Sequence, residues 1–376
     1  MKVYLDNAAS TKVDAEVVDA LLPFFSRDYG NASSLHDAGK NAREAIEKSR
    51  EIIAKFLKVS PDEIIFTSGG TESDNLAIKG VAEANPSKKH IITSKIEHPA
   101  VLETCKELER KGYRVDYISV DKEGIVNFSE IEEKITKDTL IVSIMHVNNE
   151  IGSIQPIEEI GEICRKKSVY FHTDAVQSFG KLNINMKNID LLSVSGHKIN
   201  GPKGVGTLYI RKGIKINPII SGGKHEKGMR AGTENVPGIV GLGKATELCE
   251  KKMNNIEKIK RLRDKLISEL LKIRGAKLNG SKDRRIFNNV NISFKDIEGE
   301  SLLLLLSKYG IYASTGSACS SHSLKSSHVL KAIGVSEAES HGSLRLSLGF
   351  ETSEKEIEYT IDKIKEAIEK LRRIAG

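Results

Sequence analysis

The sequence predicts an α/β protein: a mostly parallel sheet of seven strands, joined to a smaller α+β unit. Three observations carry this. Between Glu63 and Ile210, short apolar runs alternate with helical patterns. After about Cys249 the pattern changes to a long amphipathic helix followed by mixed strands and helices. A chain of 376 residues also exceeds the usual size of one hydrophobic core, so two domains are expected.

The candidate strands lie at 63–67, 90–93, 114–120, 139–145, 169–173, 191–195 and 205–210. Helical patterns at 73–84 and 157–167 fall between them. Such crossovers favour parallel pairing under helices on both faces. In the second segment a helix is expected over 256–274, a strand over 289–294, a helix over 300–307 and a strand over 343–348. Ser353 and Glu356 have capping-box spacing and open a last helix that runs to about Arg373. Residues 14–255 are taken as the large domain, and 1–13 with 256–376 as the small one.

Composition excludes several function classes. With 39% hydrophobic and 29% charged residues, the chain is ordinary for a globular protein. Its net charge of +7 is not gathered into a stripe with interleaved aromatics, so no nucleic-acid partner is expected. Cys105, Cys164, Cys249 and Cys319 are far apart and form no CxxC pair, which argues against a zinc site or a disulfide framework. The N-terminus lacks an apolar signal core, and the longest leucine run, Leu302 to Leu306, is too short to span a bilayer. A reducing cytoplasm and no membrane are the expectation.

Three motifs point to chemistry. In Thr67-Ser68-Gly69-Gly70-Thr71-Glu72-Ser73-Asp74 a strand ends and a helix opens, with Thr71 the expected N-cap. Free N–H groups there suit an anion, and glycine permits its close approach. A capped turn with no ligand is the simpler alternative. Asp174 and Gln177 follow the hydrophobic strand at 169–173, at the edge where open α/β sheets bind ligands. A carboxylate there can keep a heteroaromatic nitrogen protonated. Ser195, Gly196, His197 and Lys198 follow the next strand, and a lysine so placed can act as a nucleophilic amine. No GxxxxGK or GxGxxG fingerprint is present.

With these motifs stand Tyr4-Leu5-Asp6-Asn7-Ala8-Ala9, Glu97-His98, Met145-His146-Val147-Asn148-Asn149-Glu150-Ile151-Gly152, Arg230-Ala231-Gly232-Thr233-Glu234-Asn235 and Ser317-Ala318-Cys319. Nearly end to end, the sequence resembles the cysteine desulfurases, pyridoxal-phosphate enzymes of fold type I related to class V aminotransferases. The resemblance implies that Lys198 holds the cofactor covalently, Asp174 faces its ring nitrogen, and His98 stacks on the ring and shuttles protons. Gln177 would meet the phenolic oxygen. Gly70, Thr71, Ser195 and His197 would cradle the phosphate, with Thr233 donated by a partner subunit, which implies a homodimer. Asn148 and Arg345 would hold the substrate carboxylate, Asn148 also touching the cofactor.

The segment Ser314 to Ser327 is rich in small polar residues, and its composition predicts a mobile loop. The resemblance makes Cys319 the thiol that takes sulfur from L-cysteine as a persulfide, with L-alanine released. His322 and Lys325 are candidates on spacing for activating it. The loop is similar to that of the long-loop subgroup serving iron–sulfur assembly. A scaffold protein or another sulfur acceptor is thus an implied partner, and Cys319 an implied transient shared cluster ligand. A scaffold-docking tail of the kind often found in that subgroup is not expected beyond the last helix. Cys319, His322 and His328 fit no common zinc spacing, so no resident metal is expected. Lys224 stands where a third glycine is common in the family. Selenocysteine lyase, class V aminotransferase and inactive scaffold-binding partner are the competing readings. Cys319 argues against the aminotransferase; intact Lys198, Asp174 and His98 argue against the inactive partner.

Overall fold

Runs of Ile, Val and Leu buried on both faces form the central sheet of the computed structural model, which describes residues 1–315 and 326–375. Following β1 (Val3–Tyr4), its strands are β2 (Ile64–Thr67), β3 (His90–Ser94), β4 (Arg114–Ile118), β5 (Thr139–Ser143), β6 (Tyr170–Asp174), β7 (Leu191–Ser195) and β8 (Gly206–Ile210). The spatial order is β2-β8-β7-β6-β5-β3-β4. Strands β4, β3, β5, β6 and β7 pair in parallel, and β8 runs antiparallel to both its neighbours.

Successive strand residues point to opposite faces. Ile92, Val142, Phe171 and Leu192 therefore join one core, under the helices Asp37–Leu57, Ile157–Lys166 and Val236–Met253. Their neighbours Ile91, Ile141 and Leu191 join the other, under Leu76–Gly80 and Pro99–Arg110. The chain leaves β3 for β4 on one side, then returns across β3 to build β5, β6 and β7 on the other. This reversal opens a crevice at the carboxyl ends of β3 and β5, where ligands of such sheets bind.

The expected strands match within a few residues, but the helix after β2 starts earlier than expected. Its N-cap is Gly69, with φ of 152°, and Gly70 is already helical. Thr71 therefore lies in the first turn and is not the cap. Only glycine adopts the Gly69 backbone without strain, so the chain turns there, not at the hydroxyl residue.

The remaining residues build a three-stranded antiparallel sheet, with β10 (Asn289–Phe294) between β9 (Ala276–Leu278) and β12 (Ser343–Ser347). The helices Ile256–Leu270 and Glu354–Ala375 pack over it in a third core, which Val3 and Leu5 join from the N-terminus. The capping box forms: Ser353 N–H donates to Glu356 (2.7 Å) and Glu356 N–H to Ser353 Oγ (3.3 Å). Strand β1 pairs in parallel with β11 (Ile311–Tyr312). These contacts support the domain division at residues 13/14 and 255/256, which we propose as the working one.

One ion pair guards the open edge of the large sheet. Arg50 binds Glu226 through two hydrogen bonds, of 2.8 and 2.9 Å, with both side chains 4% exposed. Arg50 also donates to Ile64 O, and Glu226 accepts from Phe66 N–H. The pair thus satisfies backbone groups on edge strand β2 that would otherwise be buried without partners. Removing Glu226 leaves Phe66 N–H without its acceptor and leaves buried Arg50 with the half-exposed Glu47 (3.1 Å) as its remaining carboxylate. Glu226→Ala is expected to lower the unfolding free energy by about 1–3 kcal/mol, read from the urea midpoint.

Candidate active site

A cavity of about 490 Å³ opens where β3, β5, β6 and β7 end. Several functional side chains reach it from strand ends. Asp174 is the last residue of β6, and Lys198 lies on the 3₁₀ turn Gly196–Lys198 after β7. His98 follows β3 and caps the helix Pro99–Arg110. Gly70 and Thr71 lie in the first turn of the helix after β2, where backbone N–H groups lack intrahelical partners. Of the expected residues, Gly70, Thr71, His98, Asp174, Gln177, Ser195, His197, Lys198 and Arg345 line this one cavity.

Burial sets the electrostatics. Asp174 is 6% exposed, and burial raises its pKa to about 6, against the opposing pull of the Val176 N–H (2.8 Å) and the Lys198 charge. Burial, with the Lys198 and His328 charges, pushes His98 down to about 4. His98 Nδ1 accepts from the Ala100 N–H at 3.1 Å, so a neutral ring carries its proton on Nε2. Burial also lowers His197 to about 4, with Lys198 the largest contributing charge. Lys198 Nζ donates to Ala8 O (2.5 Å) and Ala9 O (2.8 Å), and Gln177 Nε2 donates to Ala8 O (2.9 Å).

Two expected residues lie elsewhere. Asn148 does not line the cavity. Its amide donates to Ile96 O and its carbonyl accepts from Glu150 and Ile151 N–H. That bonding braces a turn that brings Asn149 and Glu150 to the cavity wall. Thr233 is exposed and away from this cavity. Cys319, His322 and Lys325 lie outside the described residues. Among the described residues, no group of three or more His, Cys, Asp or Glu is placed to hold a metal.

Other residues at the cavity carry no role from the sequence reading. Asp74 and Glu150 are buried carboxyls on its wall, and His328 lines it, donating Nε2 to Glu97 O at 3.0 Å. Arg345 Nη2 pairs with Asp6 (2.9 Å), Nη1 donates to Asn149 O (3.1 Å), and its buried Nε has no partner. Asp74 was in plain view inside the Gly-Gly-Thr motif. Glu97 lies just behind the wall, 0% exposed, and burial raises it to about 8 although it accepts from Ser94 Oγ and Met145 N–H.

The donor set fits pyridoxal phosphate. A Cβ on Gly70 would meet Val176 Cγ2 at 2.7 Å, so the bare backbone keeps the phosphate end open. Unused N–H groups of the first turn, Ser195 and His197 stand beside it. An amine and a buried carboxyl face the same space.

Comparison with known proteins agrees. The aminotransferase class-V family model matches residues 3–360. The chain is similar to a protein named cysteine desulfurase IscS from Methanosarcina thermophila, with 55% identity over 99% of this chain and 93% of that protein. Its counterpart of the same name in Dictyoglomus turgidum is 52% identical over 100% and 96%. Among solved structures, a NifS-like protein superposes with a TM-score of 0.93 at 43% identity, over 98% of this chain and all of the other. A structure described as SspA in complex with cysteine reaches 0.83 at 42% identity, over 92% and 99%. The chain belongs to the class-V aminotransferase family and, within it, to the cysteine desulfurases, whose cofactor is pyridoxal phosphate.

The raised Glu97 pKa has a thermodynamic consequence. A carboxyl with a higher pKa folded than unfolded stabilises the fold fully below its unfolded value. That contribution is lost as pH rises through the folded value, here between about 4.5 and 8. Glu97→Gln removes the titration. The unfolding free energy of the parent relative to this variant should therefore fall by at least about 1 kcal/mol from pH 5 to pH 9 in urea titrations.

Proposed function

We propose that this chain takes sulfur from L-cysteine, releasing L-alanine and keeping the sulfur on Cys319 as a persulfide. The observation that carries the reading is the convergence of Lys198, Asp174 and His98 on one cavity, in a chain of the cysteine desulfurase family. Pyridoxal phosphate, when bound, supplies the electron sink for loss of the substrate α-proton. Lys198 would hold it, Asp174 would keep its ring nitrogen protonated, and Gln177 would meet its phenolic oxygen. The first-turn N–H groups, Ser195 and His197 would take the phosphate.

His98 suits proton transfer because it is uncharged at neutral pH and its Nδ1 is occupied by Ala100 N–H, which leaves Nε2 to exchange the proton. Arg345, with an unpartnered Nε on the cavity wall, would hold the substrate carboxylate. The sulfur step balances: the Cys319 thiol and L-cysteine become the Cys319 persulfide and L-alanine.

The other thiols support Cys319 by their surroundings. Cys105, Cys164 and Cys249 are free and buried. Burial pushes Cys105 and Cys249 up to about 12 and raises Cys164 further still. A thiol so held is a small hydrophobe and a poor nucleophile. The exposed Thr233 suits a phosphate contact donated across a homodimer. The persulfide then passes to an iron–sulfur scaffold or another acceptor. Among the described residues no helix is long and apolar enough to cross a membrane, and free thiols fit a reducing cytoplasm.

Two substitutions test the roles separately. Lys198→Ala should cost the protein its cofactor colour and lower alanine release at least about 10³-fold. Cys319→Ala should keep the colour and lose protein-bound persulfide after incubation with L-cysteine. Undiminished persulfide in that variant, read by mass spectrometry, sinks Cys319 as carrier. A cofactor-loaded parent that releases no alanine from L-cysteine sinks the reading as a whole.

A further inference from the structure

Asp74 is a carboxyl that the reaction above does not use. It sits on the second turn of the helix after β2, 1% exposed, and lines the same cavity as Asp174 and Lys198. Its Oδ1 is buried and accepts no hydrogen bond. A carboxylate in that position would bury a formal charge on an oxygen with nothing to stabilise it, which costs several kcal/mol.

The groups around Asp74 do not supply a compensating cation. From β6, His172 Nε2 stands 3.6 Å from Asp74 Oδ1. That ring is fully buried, and burial pushes its pKa down to about 3. His172 is also engaged by Ser143 Oγ on Nδ1 (2.8 Å) and by Ser193 Oγ on Nε2 (3.0 Å). From β7, Ser193 favours the charged form of Asp74 but does not outweigh burial. Asp174 at the end of β6, and Glu97 after β3 whenever it ionises, oppose a charge on Asp74. Lys198 is the cation that acts on Asp174.

Two carboxyls in one low-dielectric space do not both ionise readily. Their surroundings separate them. Asp174 accepts the Val176 N–H and feels Lys198, which both favour its charged form; the Oδ1 of Asp74 has no such support.

We propose that Asp74 is a second carboxyl of the cofactor site: a positioning residue that remains a neutral acid and leaves the single negative charge of the cavity floor to Asp174. The proposal rests on the cofactor reading above and adds the charge count to it. One negative charge matches one protonated ring nitrogen. A second would also hold Lys198 more firmly as an ammonium, which has no lone pair for bond formation.

The test uses the cofactor-loaded enzyme. With ¹³C-labelled aspartate, the Asp74 carboxyl carbon is assigned by its loss in Asp74→Asn, or in Asp74→Ser if the first variant does not fold. It should resonate as a carboxylic acid at pH 7, and that of Asp174 as a carboxylate. Cofactor affinity of Asp74→Asn, a neutral isostere, should stay within about threefold of the parent, against a loss of about tenfold or more in Asp174→Asn. An Asp74 resonance at the carboxylate position overturns the proposal, as does an Asp74→Asn variant that loses affinity as Asp174→Asn does. If Asp174→Asn binds the cofactor as well as the parent, the role of Asp174 falls and the pair falls with it.

Discussion

Buried negative charge at the carboxyl ends of parallel strands is the constraint on which this molecule depends. Asp74, Asp174 and Glu97 are all nearly or fully buried around one cavity. Leaving an ionised carboxylate in such a place without partners costs more than one ordinary hydrogen bond returns. The protein meets the cost in two ways. It gives Asp174 a backbone N–H and a nearby cation, and it lets burial raise Glu97 and Asp74 toward their neutral acids. Histidines around the cavity are shifted the opposite way, so His98, His172 and His197 stay uncharged near neutral pH. These shifts reduce the charge that the buried carboxyls and histidines bring to the cavity.

The same economy explains the N-terminal segment. Residues 6–9 run between the two sheets and join them through polar contacts. Ala8 N–H donates to Ser347 Oγ, and the Asn7 amide donates to Ser347 O. On the other side, Ala8 and Ala9 carbonyls accept from Lys198, and Ala8 also from Gln177. Asp6 closes the arrangement by pairing with Arg345. A short stretch of chain thus orients the amine on one side of the cavity and the guanidinium on the other. Its value lies in relative placement, since a reacting centre misplaced by about 1 Å can lose 10²-fold in rate.

Much of this was legible in the sequence, for identifiable reasons. The seven strands are apolar runs bounded by polar turns, so their positions follow from hydropathy alone. The strand ends then place Asp174 and Lys198 without further information. The two longest helices that the reading did not name are Val236–Met253 and Asp37–Leu57. Val236–Met253 contains Gly238, Gly241 and Gly243, which dilute helix propensity. Packing supplies their reason: a Cβ on Gly243 would meet Ser49 Cβ at 2.8 Å, so close helix contact overrides propensity. Asp37–Leu57 ends on Lys58 in a left-handed conformation, without the glycine that usually marks such a stop. Thr71 was misplaced as a cap because hydroxyl residues usually take that position. Asn148 is the more instructive case. Family resemblance places it at the substrate carboxylate, whereas its hydrogen bonds here are satisfied within the turn it braces. Residue type reveals bonding capacity; only the fold reveals where that capacity is spent.

The polar account at Arg345 has consequences for how tightly a substrate carboxylate can be held. A guanidinium offers five N–H donors in a fixed fork. Here one is given to Asp6 and one to Asn149 O, while the buried Nε is left without a partner on the cavity wall. An unsatisfied buried donor costs about 1–3 kcal/mol, and a carboxylate bound there, as proposed, would remove that cost. Asp6 at the same time cancels much of the arginine charge. Binding at this end then depends on directed hydrogen bonds more than on bulk attraction. That balance suits a small amino-acid substrate whose product, L-alanine, carries the same carboxylate and must leave. A fully exposed positive charge would hold substrate and product equally well and gain nothing in turnover.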